Sequence, residues 1–79
     1  MIVRYDSEVD ALYVAFRALE PGAAKRTRML DDRRMVDYDE EGQPIGVEFL
    51  CFSDGITLED VPRAEEIAQA LRAFAPAPA

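Results

Sequence analysis

The sequence lacks several residues on which catalysis and metal binding commonly depend. It has no histidine and no tryptophan, and one cysteine, Cys51, in 79 residues. The chain therefore lacks the commonest zinc ligand and general base, and a single cysteine cannot close an internal disulfide. Cys51 continues the alternation of Val47 and Phe49, which predicts a small buried core residue and not a nucleophile. These absences argue against most enzyme classes.

Long apolar runs are also missing. No hydrophobic stretch approaches the roughly 18 residues that a membrane-spanning helix needs. Residues 1–6 carry too much charge for the start of a secretory signal peptide. We therefore expect a cytoplasmic protein. Hydrophobic residues nevertheless make up 49% of the chain, which is enough to expect a folded core.

The length and the order of the segments predict one small domain. Residues 1–74 carry the patterned segments and are expected to form a single α+β domain. Residues 75–79 alternate alanine with two prolines, which exclude a helix, and are expected to form a disordered Pro/Ala tail.

The first half of the chain gives one clear strand and one ambiguous segment. Ile2–Asp6 is short, rich in apolar residues and followed by a polar turn, as expected of a strand. The apolar residues of segment 9–19 fit both the helical spacing and the alternation of a strand. This pattern alone leaves helix and strand equally open.

The middle of the chain predicts a β-hairpin. Met35–Asp39 and Pro44–Leu50 flank the polar stretch Glu40–Gln43, and we place a two-residue turn at Glu41 and Gly42. Since a one-residue shift would set the apolar side chains against Pro44 and Gly46, the hydrophobic match fixes the register. The pairs that this register predicts are Tyr38 with Ile45 and Val36 with Val47.

The last element is predicted to be an amphipathic helix. Pro62 suits a first helical turn, and the apolar residues that follow recur at helical spacing. These residues are Ala64, Ile67, Ala68, Leu71 and Phe74. About thirteen residues form only a marginal helix in isolation, so we expect this one to pack on one face of the sheet.

Acidic residues in the hairpin offer the one arrangement that resembles a metal site. The spacing of an EF-hand calcium loop is matched by Asp37, Asp39, Glu41, Gly42 and Glu48. An EF-hand needs flanking helices, whereas both flanks here alternate as strands do. We therefore predict a solvated acidic hairpin tip and assign no catalytic, cofactor or metal residue.

The stretch Lys25 to Arg34 opposes the acidity of the whole chain. Its basic residues are Lys25, Arg26, Arg28, Arg33 and Arg34. Sixteen Asp and Glu against nine Lys and Arg leave a net charge of −7, which disfavours contact with a polyanion such as nucleic acid. The favoured interpretation is an edge strand protected from aggregation by its charges, or a patch that pairs with the acidic hairpin of a second copy. The sequence leaves the role of this stretch open.

Three blocks resemble the small bacterial proteins classed as domain of unknown function 2283. They are Tyr5–Phe16, Val36–Gly42 and Ile45–Leu50, and the resemblance spans about residues 2–52. It implies that Ala11–Tyr13 lies in a strand, which gives an antiparallel meander of four or five strands followed by one C-terminal helix. The chain departs from the pattern at Arg33 and Arg34, and the resemblance implies no established activity, cofactor or site residue.

Together these features predict a non-catalytic protein-binding module that self-associates, most simply as a homodimer. The resemblance suggests an accessory protein of the kind found beside toxin-like genes, so an antitoxin-like role with a basic protein partner fits the net charge. The alternative is a metal-dependent hydrolase that uses Asp37, Asp39 and Glu48 in a site assembled in an oligomer. Binding of a divalent metal distinguishes the two hypotheses.

Overall fold

A computed structural model describes residues 1–74 as a five-stranded antiparallel sheet with one C-terminal helix. The elements are β1 (Ile2–Asp6), β2 (Ala11–Ala15), β3 (Arg26–Met29), β4 (Arg34–Tyr38), β5 (Pro44–Phe49), a short 3₁₀ turn (Phe52–Asp54) and α1 (Ala64–Phe74). The predicted α+β class, with its antiparallel sheet and C-terminal helix, is confirmed. The predicted tail, residues 75–79, lies outside the described residues.

The ambiguous segment forms a strand. In β2, Leu12 and Val14 are fully shielded from solvent, and Ala11 and Ala15 on the opposite face are also buried. A strand with little exposure on either face has a nearly continuous apolar sequence, which mimics the spacing of a buried helix. This explains why the periodicity of residues 9–19 left two choices.

The strand order is β1-β2-β5-β4-β3, so the predicted meander is wrong. The chain makes hairpins between β1 and β2 and along β3, β4 and β5, but β5 returns to pair with β2. This is a Greek-key arrangement. Its physical reason lies in burial: β5 contains the fully buried Val47 and Phe49, whereas all four residues of β3 are exposed and suit an edge.

The β4–β5 register is confirmed at its centre and wrong near its turn. Val36 lies opposite Val47 as predicted, but Tyr38 lies opposite Pro44 and not Ile45. A register shift at Asp37 and Tyr38 leaves Ile45 as an extra residue in β5. Ile45 remains buried nevertheless.

The turn of this hairpin is one residue longer than predicted. The Asp39 N–H donates to the Gln43 carbonyl over 2.9 Å, and the Gly42 N–H donates to the Asp39 carbonyl over 3.0 Å. Gly42 has φ +81°, in the left-handed region that glycine adopts readily. The Asp39 carboxylate also accepts the Glu41 and Gln43 N–H groups, which stabilises the three-residue loop over the shorter turn.

One face of the sheet, here called the inner face, carries the core. Its buried residues and those that pack on them are Leu12, Val14, Phe16, Val36, Val47, Phe49, Val61 and Ile67. Ile67 comes from α1, so the predicted packing of the helix on the sheet is confirmed. Among residues 1–74 no helix is both long and apolar enough to cross a membrane.

Two local predictions are corrected by the backbone. Arg63 has φ +56°, and its carbonyl accepts the Ile67 N–H, so α1 begins at Ala64 and Pro62 lies before the helix. Cys51 follows the end of β5, has φ +53° and is half-buried. It is therefore not the buried core residue that the alternation of β5 predicted.

Candidate binding surface on the outer face of the sheet

The face of the sheet opposite α1, here called the outer face, is the candidate functional surface. Residues that pair across neighbouring strands share a face, so the register defines its members. They are Ile2, Arg4 and Asp6 in β1, Ala11, Tyr13 and Ala15 in β2, Gly46 and Glu48 in β5, Met35 and Asp37 in β4, and Thr27 and Met29 in β3. Because α1 and Val61 pack on the inner face, no helix within residues 1–74 covers this surface.

Tyr13 is the largest side chain at the centre of the outer face. It crosses from β2 over Gly46 in β5, and its hydroxyl donates a 2.8 Å hydrogen bond to Asp37 Oδ2 in β4. A Cβ at position 46 would overlap the Tyr13 hydroxyl and ring. The absence of a side chain at Gly46 therefore lets Tyr13 pass over β5 and reach Asp37.

Asp37 links this arrangement to the edge strand. Its Oδ1 accepts a 2.6 Å hydrogen bond from the Thr27 hydroxyl in β3, so Tyr13, Asp37 and Thr27 form one hydrogen-bonded row across four strands. Partial burial, the hydrogen bond to Asp37 and the charges of Asp37 and Glu48 all raise the pKa of Tyr13. The phenol therefore stays protonated and acts as a donor at physiological pH.

Two depressions lie beside Tyr13 on the outer face. One, of about 480 Å³, is bounded by Arg4, Glu48 and the β1–β2 turn. The other, of about 180 Å³, is bounded by Ile2, Ala15 and Leu19 among others. Arg4 and Tyr13 line both depressions. The outer face is thus contoured around the central tyrosine.

Methionine side chains complete the outer face towards β3. Met29 and Met35 lie opposite one another, and Met35 is also opposite Glu48. Met29 is exposed and Met35 is half-buried. The methionine side chain adapts its shape to what it contacts. The outer face therefore places flexible methionine side chains beside the carboxylates of Glu48 and Asp37.

The predicted acidic hairpin tip separates into residues with different environments. Asp39 holds the turn, and its Oδ2 lies 4.0 Å from a guanidinium nitrogen of Arg17. Asp37 accepts its two hydroxyl donors, and Glu48 lies in the neighbouring strand. The described part of the chain contains no group of three or more Cys, Asp or Glu that could hold a metal ion. Within residues 1–74, the acidic residues that match the calcium-loop spacing are therefore not gathered into one cluster.

The basic stretch also divides into two parts. Arg26 and Arg28 lie on the exposed β3 edge, as the edge-strand interpretation expected. Arg33 pairs with Asp54 at 3.6 Å. Arg34 pairs with Asp31 at 3.0 Å and donates to the backbone carbonyls of Thr57 and Glu59. Through its hydrogen bonds to Thr57 and Glu59, Arg34 holds the segment that leads to α1 against the sheet.

Asp10 is a structural centre that sequence reasoning missed. It has φ +54°, and its Oδ1 accepts a 2.7 Å hydrogen bond from the Tyr5 hydroxyl. Its carboxylate also accepts the Ser53 hydroxyl and N–H. These bonds, from Ser53 first and then from Tyr5, lower the pKa of Asp10. Asp10 therefore fastens the β1–β2 turn to the segment after β5.

These elements define a small α+β domain with one covered and one open sheet face. The family model described as "Protein of unknown function (DUF2283)" matches residues 2–53, and the chain belongs to this family. The predicted resemblance is confirmed. The match includes all five strands and Ser53 but not α1. No curated protein and no solved structure matches the chain.

Proposed function

We propose that the protein is a non-catalytic protein-binding module that self-associates and binds a basic protein partner on its outer face. The observation that carries the proposal is the open outer face, where Tyr13 lies between Arg4 and Glu48, and Met35 and Met29 follow beyond Glu48 in the next two strands. An exposed surface that combines aromatic, methionine and charged groups has the composition of a recognition surface.

The chemistry of the outer face favours basic side chains. Lysine and arginine have apolar stems and charged ends, so a stem fits against Met29 or Met35 while the end reaches a carboxylate. Glu48 is the carboxylate beside Met35. The net charge of −7 would speed the encounter with a basic partner.

The bonding of Asp37 supports recognition over catalysis. Both of its oxygens already accept hydrogen bonds from Tyr13 and Thr27. A carboxylate held by hydroxyl groups of two other strands orders the surface around it. The finer form of the proposal is an antitoxin-like role, in which the partner is a basic protein whose active surface the module covers.

The test is capture of a tagged full-length chain from its own host at low salt and at about 0.5 M salt, followed by mass spectrometry. We expect a basic protein that co-purifies at low salt and dissociates at high salt. Glu48→Lys should abolish the capture. The matched control is Glu65→Lys, which makes the same charge change at an exposed position of α1.

Two results would contradict the proposal. If Glu48→Lys and Glu65→Lys reduce capture equally, net charge and not the outer face determines binding. If no basic protein co-purifies at either salt concentration, the partner is absent and the outer face loses its proposed role.

A further inference from the structure

We propose that β1 pairs antiparallel with β1 of a second copy, about a two-fold axis at Tyr5, to form one continuous ten-stranded sheet. This proposal rests on the self-association in the proposed function and names the surface and the residues that produce it. The strand order leaves two sheet edges, β1 and β3. Two observations select β1 over β3: the exposure of its apolar side chains and the order of its charges. The direction of the backbone groups of β1 defines which of its residues can pair.

The backbone of β1 has unpaired hydrogen-bonding groups on its outer side. The Phe16 N–H donates to the Ile45 carbonyl over 2.9 Å, so the even-numbered residues of β2 point towards β5. The odd-numbered residues of β2, including Tyr13 opposite Arg4, therefore bond to β1. It follows that the backbone N–H and C=O groups of Arg4 point towards β2. Those of Val3 and Tyr5 point in the opposite direction, out from the open edge of the sheet.

Exposed large apolar side chains concentrate along this edge. Within residues 1–74 they are Met1 (39% exposed), Ile2 (40%), Tyr5 (41%), Val9 (65%) and Met29 (61%). Four of these five lie in β1 or next to it. A second β1 strand would shield both faces of the edge at once, because Ile2 and Tyr5 lie on opposite faces of the sheet.

The β3 edge is unsuited to the same pairing. Its side chains include Arg26 and Arg28, with Lys25 immediately before the strand. A two-fold pairing of β3 would bring arginines of the two copies together. Basic residues at an edge are a common means of preventing strand addition. The β3 edge is therefore protected against strand addition by its basic residues, whereas the β1 edge exposes apolar side chains and is suited to pairing.

The charges of β1 select the register. In the paired sheet the side chains of each face must meet those of the same face, so the two-fold axis passes through a residue of β1. The central residues, which let most of the strand pair, are Val3, Arg4 and Tyr5. An axis at Arg4 places two guanidinium groups directly opposite, and an axis at Val3 places Arg4 opposite Ile2, so neither pairs opposite charges. An axis at Tyr5 places Arg4 opposite Asp6 of the other copy, twice, at positions where cross-strand side chains are closest.

Both charged residues are available for this pairing. Arg4 makes no salt bridge within residues 1–74. One oxygen of Asp6 accepts the Glu8 N–H over 3.0 Å, which orients the carboxylate and leaves its other oxygen for a guanidinium.

Because the two-fold axis at Tyr5 is perpendicular to the sheet, the outer faces of the two copies lie on the same side of the ten-stranded sheet. The dimer would therefore present two Tyr13 surfaces next to one another.

Charge reversal tests the proposal by analytical ultracentrifugation of the full chain. Arg4→Asp and Asp6→Arg should each raise the dimer dissociation constant by about ten-fold, because each turns two opposite-charge pairs into like-charge pairs. The double variant restores both pairs and should return the dissociation constant to that of the wild type. Arg28→Asp is the matched control at the other edge and should leave it unchanged. Thermal unfolding of each variant verifies that the chain remains folded.

Three results would overturn the proposal: a wild-type chain that stays monomeric to millimolar concentration, a double variant as weak as the single variants, or a larger effect of Arg28→Asp than of Arg4→Asp. The proposed function fails separately. If the chain is monomeric but Glu48→Lys still abolishes capture of a basic partner, self-association and the β1 pairing are wrong, and the binding role of the outer face stands. If the charge pattern holds and no partner is captured, only the outer-face function is wrong.

Discussion

The organisation of the outer face depends on an arrangement of three residues that no local sequence pattern predicts. Tyr13, Gly46 and Asp37 come from three adjacent strands, and the ring lies over the glycine to reach the carboxylate. The absence of a side chain at position 46 is what makes this geometry possible. From the sequence alone, Gly46 was only a position to avoid in the predicted register of the hairpin.

Gly46→Ala should displace the Tyr13 ring and break its bond to Asp37. We expect the free energy of unfolding to fall by about 1–3 kcal/mol, as when a methyl group is forced into a filled site. Urea denaturation measures the change. The control is a cycle with Tyr13→Ala, in which the cost of Gly46→Ala should largely vanish. An equal cost with and without the ring would show that Tyr13 is not the obstacle.

Asp10→Asn should reduce the loss of folding stability that occurs as pH falls into the acid range. The folded state lowers the pKa of Asp10 below its ordinary 3.8. The charged carboxylate therefore contributes stability above that value, and the contribution disappears as pH falls through the lower pKa of the folded state. Asparagine tolerates the positive φ of this position.

Melting temperatures recorded from about pH 7 to about pH 2 test this linkage. The wild type should be more stable than Asp10→Asn at neutral pH, and the difference should shrink below pH 3.8. Asp32→Asn is the control, since Asp32 is exposed and makes no side-chain hydrogen bond within residues 1–74. A difference that stays constant over the whole range would contradict the linkage.

At the scale of elements, burial decides where each strand lies. β5 is shielded and central, and β3 is exposed, basic and at the edge. The helix α1 is anchored by Ile67, its one fully buried residue. The stability of the two-layer arrangement therefore depends on a small area of contact between helix and sheet.

Ile67→Ala should destabilise the domain by about 2–5 kcal/mol, the usual cost of removing a large buried aliphatic side chain. Gln69→Ala, at an exposed position of the same helix, should change the stability by less than about 0.5 kcal/mol. Chemical denaturation of both variants provides the comparison. Equal effects would mean that α1 does not pack through Ile67.

The sequence predicted the elements better than their arrangement. A short apolar segment before a polar turn revealed β1, alternation revealed both strands of the β4–β5 hairpin, and helical spacing revealed α1, because these patterns are local. The strand order was missed because the pairing of β2 with β5 joins residues more than thirty positions apart. The longer turn was missed because hydrogen bonds from the Glu41 and Gln43 N–H groups to the Asp39 side chain stabilise it.

The candidate site was predictable only in part. Glu48 and Asp37 drew attention as acids, but their chemistry was interpreted as a solvated tip because a spacing pattern cannot show which hydroxyls contact them. Asp10 gave no signal, since its partner Ser53 lies 43 residues away. Such long-range hydrogen bonds depend on the strand order, which the sequence did not reveal.

At the scale of the whole molecule, we expect no response to divalent metals. Millimolar calcium, magnesium or manganese should leave the melting temperature unchanged, because the acidic residues of the hairpin are engaged separately. A melting shift of several degrees that is lost in Asp37→Asn would instead support the metal-dependent hydrolase. Glu65→Gln, on the helix, serves as the control.

The central claim is that a self-associated module binds a basic protein through its outer face. Native mass spectrometry of the complex captured from the host at low salt tests it most directly. We expect two copies of the chain together with a basic protein, and loss of that protein from Glu48→Lys while the dimer persists. Recovery of the wild-type chain without a protein partner, or equal binding by wild type and Glu48→Lys, would contradict the claim.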